Sequence, residues 1–228
     1  MVKKMDNSLN QITYEQLKKD ILTFSLRPGD TVSAAKVAER YSVSRTPARE
    51  ALVKLEAEGL VDIIPQSKSV ISRIDLSKAR QEWFIRTSLE LAMVEQLFEN
   101  INIESIAKMR KFNELMHEAG AQARNHENCY QYMMADNAFH AVTYQVAGEY
   151  LAANVIANTM ANYSRLRFLT DLDDYYQNRT VTGHSKLIEL LENGDREGYK
   201  EFLKIHLGYI LNDIEELVKA YPDYFTKS

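Results

Sequence analysis

The sequence predicts a mainly α protein in two parts: an N-terminal winged helix-turn-helix with a small β-hairpin wing, then an all-α bundle of six or seven helices. Three observations carry this. Two helical patterns meet at a tight turn before residue 60, and the second opens with two arginines four residues apart. Two short β-prone runs follow at once. After Pro65 no proline recurs until Pro222, and Leu, Ile, Met, Val and Phe return at spacings of three and four throughout.

Taken in order, Tyr14 to Leu26 reads as the first helix and Arg27-Pro28-Gly29-Asp30 as the turn that closes it. Thr31 to Tyr41 reads as a short helix capped by Ser33, with Val37 and Ala38 facing inward. Ser42 and Val43 leave room only for a tight turn. The next helix lies within Val43 to Leu60: Ser44 is a good N-cap, and Pro47 falls in the first turn, where its missing N–H costs little. Ala51, Leu52, Leu55 and Leu60 form its apolar stripe, and Gly59 is placed to end it in a left-handed conformation. Arg45 and Arg49 then share the exposed N-terminal face. Two guanidinium forks at that spacing suit a helix whose start enters a DNA major groove. Surface arginines are more often simply solvated, and the preceding helix and tight turn are what favour DNA. Val61 to Ile64 and Val70 to Arg73 make a hairpin about Pro65-Gln66-Ser67-Lys68-Ser69.

Ser44-Arg45-Thr46-Pro47-Ala48-Arg49-Glu50-Ala51-Leu52, followed by Leu55-Glu56-Ala57-Glu58-Gly59-Leu60, closely resembles the N-terminal domain of GntR-type bacterial transcription regulators. The resemblance implies that Arg45 and Arg49 read bases and that Ser44, Thr46 and Pro47 sit at the DNA backbone. Lys68 stands in the wing where that family commonly has glycine, and it is expected to add a phosphate or minor-groove contact.

Composition bounds the rest. The 228 residues allow one large or two modest domains, and 45% hydrophobic content suits a globular core. No apolar run spans a membrane and the N-terminus lacks an apolar signal core, so a cytoplasmic protein is expected. The single Cys129 excludes an internal disulfide and reads as a small buried hydrophobe. Net charge is −4, divided as +3 over residues 1–73 and −7 over the remainder, which permits a DNA-facing head on an acidic body. We place the boundary at 74/75, with residues 1–74 as the DNA-binding domain and 75–228 as the helical one.

Within 75–228 the periodicity predicts helices over Lys78–Glu99, Ile103–Arg124, Cys129–Val146, Tyr150–Thr170, Tyr175–Glu192 and Arg196–Ala220, with Gly120, Gly148, Gly183 and Gly194 at breaks. The aromatic tail Tyr221-Pro222-Asp223-Tyr224-Phe225 is expected to pack on something, a neighbouring subunit being one choice. Asp136 and His140 stand four apart, hence on one helix face, and His184 and His206 follow 22 residues from each other. A lone helical histidine is more often a hydrogen-bonded core residue than a ligand.

Six helices behind a GntR-type head resemble the FadR-like regulators that carry an FCD effector domain. In that pattern an Asp-x3-His pair and two later histidines 22 residues apart bind a divalent metal, which implies Asp136, His140, His184 and His206 as ligands. Three imidazoles and one carboxylate suit Zn, Ni, Mn or Fe, with Zn the first choice, and leave positions open on an octahedral ion. His117 and His126 fall outside the pattern and read as surface or helix-end residues. FCD proteins also carry Glu-x-Arg-x-x-Leu-Glu on the first bundle helix. Arg86, Leu89 and Glu90 match, while Phe84 replaces the acidic residue and implies an altered pocket edge. The resemblance points Arg86 into the cavity to hold a carboxylate; the plain alternative is an i,i+4 salt bridge to Glu90. Arg165 and Arg167 are left open as further cavity residues.

The expected function is a DNA-binding transcriptional regulator, first read as a repressor and not an enzyme. It would act as a homodimer on a pseudo-palindromic double-stranded operator, controlled by a small organic acid bound beside the metal. The alternatives are a regulator that answers to the metal itself, and a metalloenzyme that kept a DNA-binding-like head.

Overall fold

The computed structural model describes residues 2–64, 68–122, 125–172 and 174–227. The wing-turn residues Pro65, Gln66 and Ser67, and the expected helix end Arg124, lie outside them. The chain divides into two compact units, Met1–Leu76 with Tyr221–Ser228, and Ser77–Ala220.

The first unit contains α1 (Val2–Leu22), β1 (Thr31–Val32), α2 (Ala34–Arg40), α3 (Arg45–Ala57), β2 (Val61–Ile63) and β3 (Ser69–Ile71). The helix expected over Thr31 to Tyr41 starts three residues later. Thr31 and Val32 pair antiparallel with Val70 and Ser69 of β3 and make a third strand, giving sheet order β1-β3-β2. A two-residue strand has no periodicity to read; it exists because β3 offers it an edge. Ser33 does cap α2, accepting from Lys36 N at 3.2 Å. Gly59 takes φ +76°, and Leu60 N closes on Leu55 O at 2.9 Å, so α3 ends as expected. Leu17, Ile21, Val37, Ala48, Leu55, Leu60 and Ile71 form the core where α1, α2 and α3 meet the sheet.

The tail belongs to this unit. After the 3-10 turn Pro222–Tyr224, Phe225 forms a parallel bridge with Ile74, and Tyr224 stacks on Phe24 with ring centroids 5.0 Å apart. Ile74 N donates to Tyr224 O at 2.8 Å and Thr226 N to Ile74 O at 3.0 Å. The aromatic tail thus finds its packing partner within its own chain.

The second unit contains α4 (Leu76–Ala92), α5 (Val94–Asn100), α6 (Ile103–Gly120), α7 (His126–Ala147), α8 (Tyr150–Thr159), α9 (Ala161–Thr170), α10 (Asp174–Glu192) and α11 (Arg196–Ala220). All six expected helices are present, but the first is divided at Met93 and the fourth at Met160. The second division has a visible cause. The Glu82 carboxylate on α4 accepts from the backbone N–H groups of Asn162 (2.9 Å) and Tyr163 (2.7 Å), capping α9 from another helix. Gly148 and Gly194 sit at breaks with positive φ, whereas Gly183 lies inside α10, contrary to expectation. The core is built from Val94, Leu97, Met109, Phe139, Leu187, Leu203 and their neighbours.

Candidate functional sites

On the head, Ser44, Arg45, Thr46, Arg49 and Lys68 are all exposed. Ser44 occupies the N-cap position of α3, but its side chain makes no capping hydrogen bond. Among the described residues, neither Arg45 nor Arg49 has an ion-pair partner. Pro47 differs from the others: it is buried with Ala48 against the core, so its side chain packs inward. Lys68 closes the wing through its backbone, accepting from Ile64 N at 2.9 Å.

Inside the second unit, four helices deliver the other predicted residues to one place. α7 supplies Asp136 and His140, α10 His184, α11 His206 and α4 Arg86, each no more than 6% exposed. One ring nitrogen from each histidine lies within 4.8 Å of the others. Asp136 Oδ1 is 3.3 Å from His184 Nε2, while its Oδ2 is bound by the Arg167 guanidinium. Among the described residues, His184 Nδ1 and His206 Nδ1 are buried without a hydrogen bond, and His184 Nε2 has only the poorly aligned Asp136 carboxylate at 3.3 Å. A neutral imidazole carries one N–H and one lone pair, so His184 and His206 each have one lone pair to offer. Leaving such an atom unsatisfied costs about 1–3 kcal/mol, which calls for a ligand that accepts nitrogen lone pairs. The donor set fits a divalent metal ion. Gly183 makes the approach possible: a Cβ there would stand 2.6 Å from His206 Nδ1.

Glu90, which the sequence marks as a motif match and as the alternative salt-bridge partner of Arg86, connects Arg86, Tyr144 and His140. Its carboxylate accepts from Arg86 Nε and the Tyr144 hydroxyl, both at 2.7 Å, and faces His140 Nδ1 at 2.9 Å. Arg86 therefore does salt-bridge Glu90 and also lines the adjacent cavity. Arg167 lines that cavity too, whereas Arg165 is fully buried on Ala161 O and Asn162 Oδ1 and stays outside it. Phe84 is 64% exposed and does not line the cavity, which corrects the expectation of an altered pocket edge. Tyr163, Arg179 and Tyr209 complete walls that no motif announced. His117 and His126 are exposed at helix ends, and Cys129 is buried, its thiol donating to Asp171 O.

Burial pushes the His184 imidazole down to about 4, and burial with the neighbouring imidazoles depresses His206 as well. Burial acts upward on Asp136, but Arg167, His184 and His140 outweigh it and hold the carboxyl well below its usual range. At neutral pH the cluster therefore holds two neutral imidazoles and an ionised carboxylate. The sign for stability follows. Unfolded His184 takes up a proton below about 6.5, while the folded residue resists until about 4. Metal-free protein is thus expected to lose stability as pH falls from 6.5 to 4, by an amount of order 3 kcal/mol from His184 alone. Denaturant midpoints measured across that window check this, and a flat profile would contradict it.

The two units together define a class, a regulator with a winged helix-turn-helix head and an all-helical ligand-type domain. The chain matches the FCD domain over residues 83–209 and the bacterial regulatory proteins of the gntR family over residues 9–71. It belongs to the gntR family of helix-turn-helix transcription regulators, in the group that carries an FCD domain. The HTH-type transcriptional repressor RspR of Escherichia coli K12 is 26% identical over 219 residues, covering 96% of this chain and 94% of that protein. A Streptomyces ambofaciens HTH-type regulator in an unstable DNA locus is 26% identical over 212 residues, covering 93% and 87%. The fold is shared with E. coli McbR/YncC, at TM-score 0.76 and 20% identity over 93% of this chain and 98% of that one. A GntR regulator from Rhodococcus sp. RHA1 shares it at TM-score 0.74 and 18% identity over 94% and 99%. No helix among the described residues is long and apolar enough to cross a membrane.

Proposed function

We propose that this regulator is a cytoplasmic, homodimeric repressor whose operator affinity is set by a small carboxylate bound beside a divalent metal ion. The observation that carries the reading is a cluster of three buried imidazoles, two of them (His184 and His206) with unpartnered nitrogens, beside a cavity lined by His140, His206, Arg86 and Arg167. His140, His184, His206 and Asp136 would hold the ion, with zinc the first choice. A bound divalent ion supplies positive charge and open positions beside the arginines. Arg86, fixed by Glu90, orients a carboxylate from one side. Arg167 is shared between Asp136 and whatever enters the cavity.

Arg86 and Glu90 ride on α4 and His206 on α11, and both helices continue directly into Ile74 and Tyr224, which are hydrogen-bonded to each other. That joint gives a shift of either helix a covalent route to the DNA-binding unit. An effector would alter operator affinity only as far as it binds the two states unequally. Support for a dimer comes from α8, an uncharged helix with no buried residue that leaves Tyr150 69% and Leu151 75% exposed. The Arg167–Asp136 ion pair favours a second reading, in which the metal alone is the signal because it competes with that guanidinium.

Thermal unfolding decides between them. Zinc is expected to raise the midpoint of apo-protein, and a small carboxylate to raise it further only when zinc is present. Gly183→Ala, which forces His206 away, is expected to weaken zinc binding about tenfold or more. A carboxylate effect in no acid tested leaves the metal-sensor reading; no zinc effect removes both.

A further inference from the structure

The chain crosses between its two units twice, at residues 76/77 and again at 220/221. Both crossings are short. Asp75 alone separates the bridged Ile74 from α4, and Tyr221 alone separates α11 from the 3-10 turn that begins at Pro222. Relative motion is the default for two units joined by a single linker, because a body held at one flexible point swivels in every direction. Held at two points that are tied to each other, it turns only about the line through them.

The second tie is firmly seated in the head. Phe225 is 5% exposed beside the fully buried Ile74. Arg73 Nε donates to Asp223 O at 3.2 Å, and the same guanidinium lies against Gly29 in the turn after α1, where a Cβ would stand 3.2 Å from it. The rings of Phe24, Tyr224 and Tyr221 stack in series, with centroids 5.0 and 5.4 Å apart. Phe24 is buried with φ +57°, a left-handed conformation that a bulky residue keeps only where its surroundings over-determine it. Tyr224 supplies part of that constraint. None of these contacts uses Ser44, Arg45, Thr46, Arg49 or Lys68, so what the tail governs is the placement of the head and not its contact with bases.

Resting on the homodimer and paired half-sites proposed above, we infer that the tail Tyr221–Thr226 determines which operator spacing is accepted. By tying the head to α11 as well as to α4, it fixes the separation and angle at which the two heads of a dimer meet their half-sites. Tyr224 and Phe225 are its positioning residues. Each base pair added between half-sites moves one of them by ~3.4 Å and rotates it by about 35°. A head held at two points does not follow that displacement, whereas a head held at one point does.

Fluorescence anisotropy of the full-length protein tests this on an operator selected from random duplexes, with its spacer lengthened and shortened by one and two base pairs. Wild type is expected to bind the two-base-pair variants about tenfold or more weakly than the selected spacing. Inserting Gly-Ser-Gly-Ser between Ala220 and Tyr221 keeps the tail contacts and slackens only the second tie. Its spacing preference is expected to fall to about threefold or less, with unchanged affinity for an isolated half-site and an unchanged unfolding midpoint. Tyr224→Ala, which takes the ring off Phe24, should move the preference the same way, while Tyr224→Phe keeps the stack and should behave as wild type. Equal preference in wild type and the insertion variant overturns the inference and leaves the dimer reading standing. A wild type indifferent to spacing overturns both. If the insertion variant does not fold, the contrast between Tyr224→Ala and Tyr224→Phe decides alone.

Discussion

Arg45→Ala together with Arg49→Ala is expected to abolish specific operator retention while leaving the fold unchanged. Both side chains are exposed at the start of α3, and the core face of that helix is carried by other residues, Ala48, Ala51, Leu52 and Leu55. Surface changes of this kind alter stability by about 0.5 kcal/mol or less. Each bidentate guanidinium-to-base contact contributes about 1–3 kcal/mol of discrimination, so the double variant should bind its operator roughly 10²- to 10⁴-fold more weakly. Fluorescence anisotropy on an operator selected from random duplexes reads this directly, with the unfolding midpoint as control. Retention at wild-type affinity would remove α3 as the recognition helix. Lys68→Ala is the useful contrast, since loss of a phosphate contact weakens all sequences alike and flattens the salt dependence.

Glu90→Ala is expected to be the most destabilising single change in the helical unit. The carboxylate is 4% exposed and is the acceptor for Arg86 and Tyr144 as well as the neighbour of His140 Nδ1. Despite burial, His140 and Arg86 hold it far below the usual carboxylate range, so it is ionised at any working pH. Removing it strands the buried Arg86 charge, a loss of about 3–5 kcal/mol, which for a chain of this size lowers the midpoint by roughly 10 °C. Glu90→Gln keeps the shape and one acceptor and should fall between the two. Scanning calorimetry of apo-protein makes the comparison, and a loss below about 1 kcal/mol for Glu90→Ala would mean the network does not hold these groups. His140 should also lose its orientation, so zinc binding is expected to weaken in both variants even where the fold survives.

Much of the fold is legible because it is written in local chemistry. Ser33 before Ala34, Gly59 after α3, and Gly148 and Gly194 after α7 and α10 act through their own side chain or their own φ. The apolar spacing from Ile103 to Ala220 locates its helices for the same reason: burial of one face repeats with the helical period. What fails are elements whose cause is distant in sequence. Thr31 and Val32 become a strand only because β3 lies alongside. The fourth predicted helix breaks at Met160 because Glu82, some eighty residues earlier, caps the start of α9. Gly183 looks like punctuation and is instead the gap that admits His206.

The candidate ligand cluster divides along the same line. The sequence by itself picked out the candidate residues: Arg45 and Arg49 at a helix start, Asp136 and His140 one turn apart, and His184, His206 and Arg86 at positions a family pattern marks. Residue type and spacing along one helix are local properties, and that is all these assignments need. Only the tertiary structure decided how the groups meet. It brought three histidines from three helices within reach of one another, gave Asp136 to Arg167, joined Glu90 to both Arg86 and His140, and turned Arg165 away from the cavity that Arg167 lines. The reason is physical. Which side of a helix faces a neighbour, and which buried charge finds which partner, is set by how separate helices pack, and no single stretch of chain contains that packing.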